Sequence, residues 1–266
     1  LSEAARKAPR DAEVAAHLGR VHLELGDAAR ALAEFGRALA IEPGQARHLQ
    51  NRGVALMALG QRWRQADGRP LCLAASTREG EEPALLDAWL ACAWPAQAEA
   101  RPRLLIVPRH PQRFDEVAAL VRQRGLSLSR RSAWPDGQPD DTARQADVWL
   151  GDSMGEMPAY YAAATLAWLG GSFAPLGGQN LIEAAACGCP LILGPSTYNF
   201  ADAAELSLAA GASRRVADWS EAVQVAQQWL QEGTEPVRQA ALAFSLSHRG
   251  ASDAMSCDIL RTMFTP

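Results

Sequence analysis

One stretch of the sequence combines residue types that suit nucleotide binding. A glycine pair, Gly177 and Gly178, precedes Asn180 and Glu183, and a short apolar run follows. Glycines allow a backbone to approach a ligand closely, and the start of a helix favours an anionic group. Asn180 and Glu183 are three residues apart and are predicted to share one face in the first turn of a helix. A carboxylate at that position can accept hydrogen bonds from sugar hydroxyls, so the stretch predicts a nucleotide or nucleotide-sugar site.

Three further segments place polar residues directly after a predicted strand. They are Ala-Ser-Thr-Arg-Glu-Gly-Glu-Glu at 75–82, Val-Pro-Arg-His-Pro-Gln-Arg-Phe at 107–114 and Gly-Asp-Ser-Met-Gly-Glu-Met at 151–157. Because a parallel sheet binds ligands at the carboxyl ends of its strands, we expect all these loops to meet at one edge. A structural role is the alternative, since Ser76, Thr77, Asp152 or Ser153 could cap the following helix.

The elements that would position these loops alternate regularly from Arg69 onward. Strands are predicted near 70–75, 103–108, 126–131, 147–151, 165–170, 190–194 and 213–217. Helices are predicted near 81–93, 112–124, 155–163, 179–187, 200–210, 219–231, 235–247 and 251–263. This alternation indicates the α/β class, with a Rossmann-like, doubly wound parallel sheet. The segment 134–142 is rich in Pro, Asp and Gly and is predicted to be a surface loop, and Arg130 and Arg131 before it are predicted to be solvated.

The residues before this α/β part repeat with a period of 34. The matching pairs are Ala4 and Ala38, Pro9 and Pro43, Gly19 and Gly53, and Gly26 and Gly60. This period, with apolar residues at helical spacing, is typical of tetratricopeptide repeats, and a plain helical hairpin is the alternative. We predict two units: helical repeats over 1–66, to which a protein partner could bind, and a nucleotide-sugar-binding domain over 67–266.

Composition narrows the function classes. The 266 residues carry a net charge of −4, which gives no argument for nucleic-acid binding. Five cysteines without paired-ligand spacing predict reduced thiols and no metal site. No apolar stretch reaches the about 18–20 residues that a membrane-spanning helix needs. These features predict a cytoplasmic protein.

The segments described above occur together in one known family. Residues of about 70–212 resemble the C-terminal, donor-binding half of the 3-deoxy-D-manno-octulosonic acid (Kdo) transferases, family 30 glycosyltransferases of the GT-B fold. The matching blocks continue with Gly-Gly-Ser-Phe at 170–173, Gly-Gly-Gln-Asn at 177–180, Glu-Ala-Ala-Ala from 183 and Gly-Pro-Ser-Thr-Tyr-Asn-Phe at 194–200. The resemblance implies transfer of Kdo from CMP-Kdo to a lipid A precursor in lipopolysaccharide biosynthesis. It implies no metal or other cofactor, and a place in the cytoplasm that includes the inner surface of the inner membrane.

The resemblance also implies which residues hold the donor, without naming a catalytic residue. The implied donor-binding residues are Ser76, Thr77, Arg78, Gly80, Arg109 and His110 around phosphate and sugar, Gly151, Met154, Gly155 and Glu156 around the nucleotide, and Gly178, Asn180, Glu183 and Asn199 around ribose, phosphate or sugar.

Two departures from the family pattern affect this interpretation. Arg78, Gln179 and Ser196 stand where the family commonly has histidine, and an arginine cannot exchange a proton near neutral pH. The family's N-terminal half, which holds the acceptor and supplies a carboxylate base, has no counterpart here, and the repeat helices stand in its place. We therefore expect this chain alone to bind the donor but to transfer Kdo poorly. His110 is the histidine that remains, and it is a minor candidate for a substitute base.

Two alternatives stay open at this stage. Repeat helices joined to a GT-B half resemble protein O-glycosyltransferases, which use UDP-sugars. A non-catalytic nucleotide-sugar-binding domain on a repeat scaffold for protein interaction is the second alternative. The preference for cytidine over uridine nucleotides tests the first alternative, and a transfer assay tests the second.

Overall fold

The computed structural model describes residues 11–97 and 100–247. The strands are β1 (Leu71–Thr77), β2 (Arg103–Pro108), β3 (Leu128–Arg130), β4 (Val148–Leu150), β5 (Leu166–Leu169), β6 (Leu191–Leu193) and β7 (Ser213–Arg215). The helices are α1 (Ala12–Glu24), α2 (Ala28–Ile41), α3 (Ala46–Asp67), α4 (Glu81–Ala91), α5 (Phe114–Gln123), α6 (Asp141–Gln145), α7 (Met157–Ala163), α8 (Ile182–Ala186), α9 (Ala201–Ala209), α10 (Trp219–Glu232) and α11 (235–247). Each predicted strand is confirmed within a few residues. The helix predicted over 251–263 and the repeat residues Ala4 and Pro9 lie outside the described residues.

In the described part of the chain, seven strands form one sheet in the order β3-β4-β2-β1-β5-β6-β7. All neighbouring strands are parallel, which confirms the predicted Rossmann-like class. Strand β1 has β2 on one side and β5 on the other, so the strand order reverses at β1. A crevice opens beyond the carboxyl ends of strands at such a point.

Helices cover both faces of this sheet. In β1, Leu71 and Leu73 belong to one core, and Cys72 and Ala74 belong to the other, because successive strand residues point to opposite faces. The first core includes residues of α3, α7 and α8, and the second includes residues of α4, α5 and α10. The runs of apolar residues in the sequence therefore reflect strands that are buried on both sides.

The N-terminal helices are present, and the third of them packs on the sheet domain. Helices α1 and α2 form a hairpin in which the Phe35 ring lies against Gly19. Helix α3 then crosses α7 so closely that a Cβ added to Gly60 would lie 2.0 Å from the carbonyl oxygen of Ala159. The tetratricopeptide identity and the division at 66/67 stay predictions.

The segment 134–142 is not a simple surface loop, so that prediction is wrong in part. Trp134 is buried, and its ring centroid lies 5.3 Å from that of Trp63 and 4.7 Å from that of Trp149. The Trp63 Nε1–H donates to the carbonyl oxygen of Gly137 at 2.8 Å. The segment is held down because these aromatic rings meet, and its last residues begin helix α6.

The start of α8 also differs from the prediction. The helix begins at Ile182, because the Asn180 Oδ1 accepts a hydrogen bond from the Ile182 N–H at 3.0 Å and turns the chain before it. Asn180 and Glu183 therefore do not share the first turn of a helix. Within the described residues, no helix has both the length and the hydrophobicity needed to cross a membrane.

Candidate functional site

A cleft of about 460 Å³ opens at the carboxyl ends of β1, β2 and β4. This volume is within the usual range for small-molecule sites. Five parts of the chain line the cleft: Ser76 near the end of β1, Val107, Pro108 and Arg109 at the end of β2, Ser153, Met154, Gly155, Met157 and Pro158 after β4, Glu183 in α8, and Leu49, Arg52, Gly53 and Leu56 in α3. The cleft therefore brings together Ser76, Arg109, Met154, Gly155 and Glu183 among the residues predicted to bind the donor.

Arg109 and Glu183 are the charged residues of the sheet domain that face this cleft. Arg109 is exposed, and its backbone N–H donates to the carbonyl oxygen of Thr77 at 2.9 Å. Glu183 is half-buried, and burial raises the pKa of its carboxyl, while the positive charge of Arg109 opposes that rise. In the described structure neither side chain forms a hydrogen bond or an ion pair with another protein group. Both are therefore available to a ligand.

Ser76 and Thr77 end β1 with opposite orientations. Ser76 lines the cleft with a positive φ of 56°, which is uncommon for a residue other than glycine. The Thr77 hydroxyl instead donates to Glu82 Oε1 at 2.6 Å, and Glu82 forms a buried ion pair with Arg113. The prediction that the Thr77 side chain contacts phosphate is therefore not supported, because its hydroxyl points into the protein.

The first half of the 151–157 loop has a structural role. A Cβ added to Gly151 would lie 2.6 Å from Val107 Cγ2 and 2.8 Å from the Tyr160 ring, so this glycine is required for packing. Asp152 accepts hydrogen bonds from the N–H and hydroxyl of Ser132, at 2.8 and 2.6 Å, and pairs with Arg130 at 2.7 Å. Burial alone would raise the pKa of Asp152, but these contacts bring it below its ordinary value.

The second half of this loop is fixed by a chain of polar contacts. The Ser153 hydroxyl donates to Glu156 and lies 2.5 Å from the Tyr160 hydroxyl. Glu156 also pairs with Arg131 at 3.0 Å, and the Arg131 guanidinium lies 4.9 Å from the centre of the Trp63 ring. Arg131 is therefore not the solvated residue that the sequence predicted. Glu156 is engaged within the protein and does not line the cleft.

Residues of the 177–180 segment and Asn199 hold a neighbouring loop instead of lining the cleft. The Asn199 Nδ2 donates to the carbonyl oxygen of Leu176 at 2.8 Å. The Gly178 N–H donates to the carbonyl oxygen of Gly171 at 3.0 Å, and Asn180 is used at the start of α8. Gly178, Asn180 and Asn199 thus lie outside the lining of the cleft, whereas Glu183 is part of it.

The three positions where the family has histidine lie in the same neighbourhood. A Cβ added to Gly171 would lie 3.3 Å from Gln179 Nε2 and 3.5 Å from Arg78 Cγ. Ser196 is also nearby, because its hydroxyl oxygen accepts a hydrogen bond from the Gly177 N–H at 3.1 Å. Arg78 is half-buried and lies outside the lining of the cleft, as do Gly80 at the start of α4 and the half-buried His110.

Glu81 is a positioning residue that the sequence reasoning missed. Its buried carboxylate accepts hydrogen bonds from the Gly171 N–H at 2.8 Å, the Phe173 N–H at 3.1 Å and the Arg78 N–H at 2.8 Å. Burial raises the pKa of Glu81, and these hydrogen bonds oppose the rise. The residue ties the loop after β5 to α4. A glutamate in the first helical turn was visible in the sequence, but its distant partners were not.

The contribution of α3 to the cleft was also missed. Leu49, Arg52, Gly53 and Leu56 follow the spacing of one helix face, and the Arg52 Nη2 donates to the carbonyl oxygen of Gly155 at 3.1 Å. This contact joins residues 103 positions apart, so no local pattern could have indicated it. Across the described residues, no three His, Cys, Asp or Glu side chains are grouped to hold a metal ion.

Comparison with curated proteins identifies relatives of the chain. It is 48% identical over 200 residues to the 3-deoxy-D-manno-octulosonic acid transferase of Bordetella pertussis, a match that covers 74% of this chain and 46% of that protein. The chain is a homologue of the Kdo transferases. The Haemophilus influenzae Kdo transferase is 38% identical over 140 residues, which cover 52% of this chain and 30% of that protein. The chain thus spans less than half the length of these Kdo transferases. No protein-family model matches it.

Solved structures of other proteins share the fold of this chain. The crystal structure of the C-terminal CMP-Kdo binding domain of WaaA from Acinetobacter baumannii superposes with a TM-score of 0.63 at 28% identity. The superposition covers 72% of this chain and 98% of that domain. Anabaena HepE in complex with UDP and glucose shares the fold, with a TM-score of 0.51 at 14% identity over 90% of this chain and 76% of HepE.

Proposed function

We propose that the cleft binds CMP-Kdo and that this chain supplies the donor-binding half of a Kdo transferase-like glycosyltransferase. The observation that carries the proposal is the pair Arg109 and Glu183, which face one cleft at the switch point of the sheet without protein partners. Homology to the Kdo transferases supports it, as does the likeness to a domain described as CMP-Kdo binding. We propose that the reaction serves lipopolysaccharide biosynthesis.

The chemistry begins with cleavage of the bond between the anomeric carbon of Kdo and the phosphate oxygen of CMP. Negative charge then develops on CMP, and the positive charge of Arg109 stabilises it. The guanidinium donates several N–H groups in a geometry that matches phosphate oxygens. Glu183 accepts hydrogen bonds from hydroxyls of the ribose or the sugar, and the Ser76 hydroxyl donates to an anionic oxygen at the other side of the cleft.

The second half of the reaction is attack by a hydroxyl of a lipid A precursor on the anomeric carbon. The hydroxyl gives its proton to a general base, which is typically worth ~10²–10⁴ in rate. His110 lies outside the lining of the cleft, and Glu183 has another role in this proposal. We therefore place the base and the acceptor site outside residues 67–266. Because the acceptor is a lipid, the enzyme would work at the cytoplasmic face of the inner membrane.

Calorimetric titration of the full chain with CMP and UMP tests the donor assignment. We expect CMP to bind more tightly than UMP, because the donor of the homologous domain carries cytosine. Equal affinity for the two nucleotides would instead favour a UDP-sugar-dependent protein O-glycosyltransferase. No binding of either nucleotide would overturn the proposed site.

A non-catalytic module that binds a nucleotide-sugar and engages a protein through its helices is the second candidate function. The observation in its favour is the replacement of the family's histidines by Arg78, Gln179 and Ser196, which lie together around Gly171 and Gly177. A radiolabelled transfer assay with a lipid A precursor, with and without a family N-terminal domain, separates the two functions. Binding of CMP without transfer in either condition would favour the non-catalytic module.

A further inference from the structure

The donor cleft has one wall that comes from outside the sheet domain. Helix α3 places Leu49, Arg52, Gly53 and Leu56 along this wall, whereas the resemblance to the family begins near residue 70. The helix is held in place where Gly60 meets Ala159 and where Trp63 contacts Tyr160, with ring centroids 5.6 Å apart. This wall is therefore a fixed part of the cleft.

Arg52 is the charged residue of this wall, and it retains unused hydrogen-bonding capacity. Arg52 is half-buried as a residue, and its guanidinium donates one hydrogen bond, from Nη2 to the carbonyl oxygen of Gly155 at 3.1 Å. An arginine has five N–H donors, so most of them remain for a ligand. Arg130 and Arg131, by contrast, are paired with Asp115 and Glu156. Within residues 11–97 and 100–247, Arg52 has no such carboxylate partner.

The proposed donor has two anionic groups, so a second arginine in the cleft would have a group to bind. CMP-Kdo carries two neighbouring anionic groups, because the anomeric carbon of Kdo is bonded both to a carboxylate and to the phosphate of CMP. Arg109 follows β2 and Arg52 lies on α3, so the two cations come from different walls of one cleft. A guanidinium fork matches both a carboxylate and a phosphate. Two arginines without carboxylate partners therefore match a donor that has two anionic groups.

We propose that Arg52 binds an anionic group of the nucleotide-sugar, so that the N-terminal helical segment completes the donor site. The inference rests on the proposed function, because it takes the ligand of the cleft to be CMP-Kdo. On this inference, the sheet domain without α3 would lack one of the two side chains that bind the anionic groups of the ligand.

The test measures binding of cytidine, CMP and CMP-Kdo to the wild-type chain and to Arg52→Gln. Glutamine keeps an N–H donor for Gly155 but removes the positive charge. We expect Arg52→Gln to bind CMP or CMP-Kdo about tenfold to a hundredfold more weakly and to bind cytidine with unchanged affinity. A loss already seen with CMP identifies the phosphate as the bound group, and a loss confined to CMP-Kdo identifies the carboxylate.

Arg47→Gln is the matched control, because Arg47 lies on the same helix, is exposed and is 3.7 Å from Glu13. Circular dichroism checks that each variant is folded. Arg52→Lys keeps the charge without the fork and should bind with intermediate affinity. If Arg52→Gln and Arg52→Lys bind all three ligands as Arg47→Gln does, the inference is overturned while the proposed function stands. If the wild-type chain binds neither CMP nor CMP-Kdo, both are overturned.

Discussion

At the scale of single residues, the site depends on a carboxylate that the protein leaves without a partner. Glu183 is half-buried beside Arg109, and burial raises the pKa of Glu183. Removing a carboxylate from water, even in part, without hydrogen bonds to replace the lost hydration costs folding free energy. Such a cost is typical of residues that are kept for function and not for stability. Ser76 is a second residue of the cleft with an energetic cost, because its φ is positive.

Glu183→Gln should therefore separate binding from stability. We expect the variant to bind CMP more weakly by about 1–3 kcal/mol, because a hydrogen bond to a charged group is lost. The free energy of unfolding at pH 7 should stay unchanged or rise, because the uncharged side chain is easier to bury. Calorimetric titration measures the first quantity and urea denaturation the second.

The pH dependence of unfolding provides a further check on Glu183. The pKa of Glu183 is raised in the folded protein, so the folded state binds a proton more tightly than the unfolded state. Protonation of Glu183 therefore stabilises the fold, fully at pH values below the ordinary pKa of 4.5. This stabilisation is lost as pH rises through the raised pKa. Any stability gain of Glu183→Gln should thus disappear at low pH. Glu205→Gln, at an exposed residue paired with Arg215, is the control. An affinity for CMP that matches this control would contradict the role given to Glu183.

At the scale of elements, the crossing of α3 and α7 sets the position of the cleft wall. The two helices approach at Gly60, where a Cβ would lie 2.0 Å from the Ala159 carbonyl oxygen. Backbone atoms cannot move aside as a flexible side chain can. This contact therefore requires glycine, whereas Gly53 on the same helix has open space around it.

Gly60→Ala and Gly53→Ala should change stability in opposite directions. We expect Gly60→Ala to destabilise the protein by about 1–3 kcal/mol, because the added methyl group overpacks the crossing. Gly53→Ala should stabilise it by about 0.5–1 kcal/mol, because alanine loses less backbone entropy in a helix. Urea denaturation of both variants measures the difference. Equal effects of the two substitutions would show that the helices do not cross as described.

At the scale of the whole molecule, the helical segment and the sheet domain share a hydrophobic core. Leu56, Leu59 and Trp63 of α3 belong to the same cluster as Leu71 of β1. A buried ion pair adds to this connection, because Arg103 at the start of β2 lies 2.6 Å from Asp67 at the end of α3. Breaking such a buried pair is strongly destabilising, so the two parts are expected to depend on each other.

We therefore predict that the full chain unfolds in one cooperative transition. Tryptophan fluorescence reports mainly on the sheet domain, and far-ultraviolet circular dichroism reports on all helices. The two signals should change at the same urea concentration, because the shared core couples the parts. Two separate transitions would contradict this coupling and would favour independent units divided near residue 66.

The sequence by itself determined the fold class and the loops that form the site. The central strands were predictable because strands buried on both faces are short apolar runs. The edge strands β3 and β7 are not apolar runs, and their prediction and the parallel order follow from the alternation of strands with helices. The four segments after β1, β2, β4 and β5 were expected to meet at one edge, and Ser76, Arg109, Met154 and Glu183, one from each segment, do line one cleft. These features depend on residues close together in the chain.

Only the tertiary structure decided which of the predicted side chains face the cleft. Ser76 and Thr77 are neighbours, yet Ser76 lines the cleft and the Thr77 hydroxyl donates a hydrogen bond to Glu82. The two side chains differ in direction because the backbone turns at Ser76, where φ is positive. The place of Arg52 depends on how α3 crosses α7, and its contact with Gly155 joins residues far apart in the sequence. Such contacts arise from packing between elements, and packing is set by the combined shapes of many side chains rather than by any local pattern.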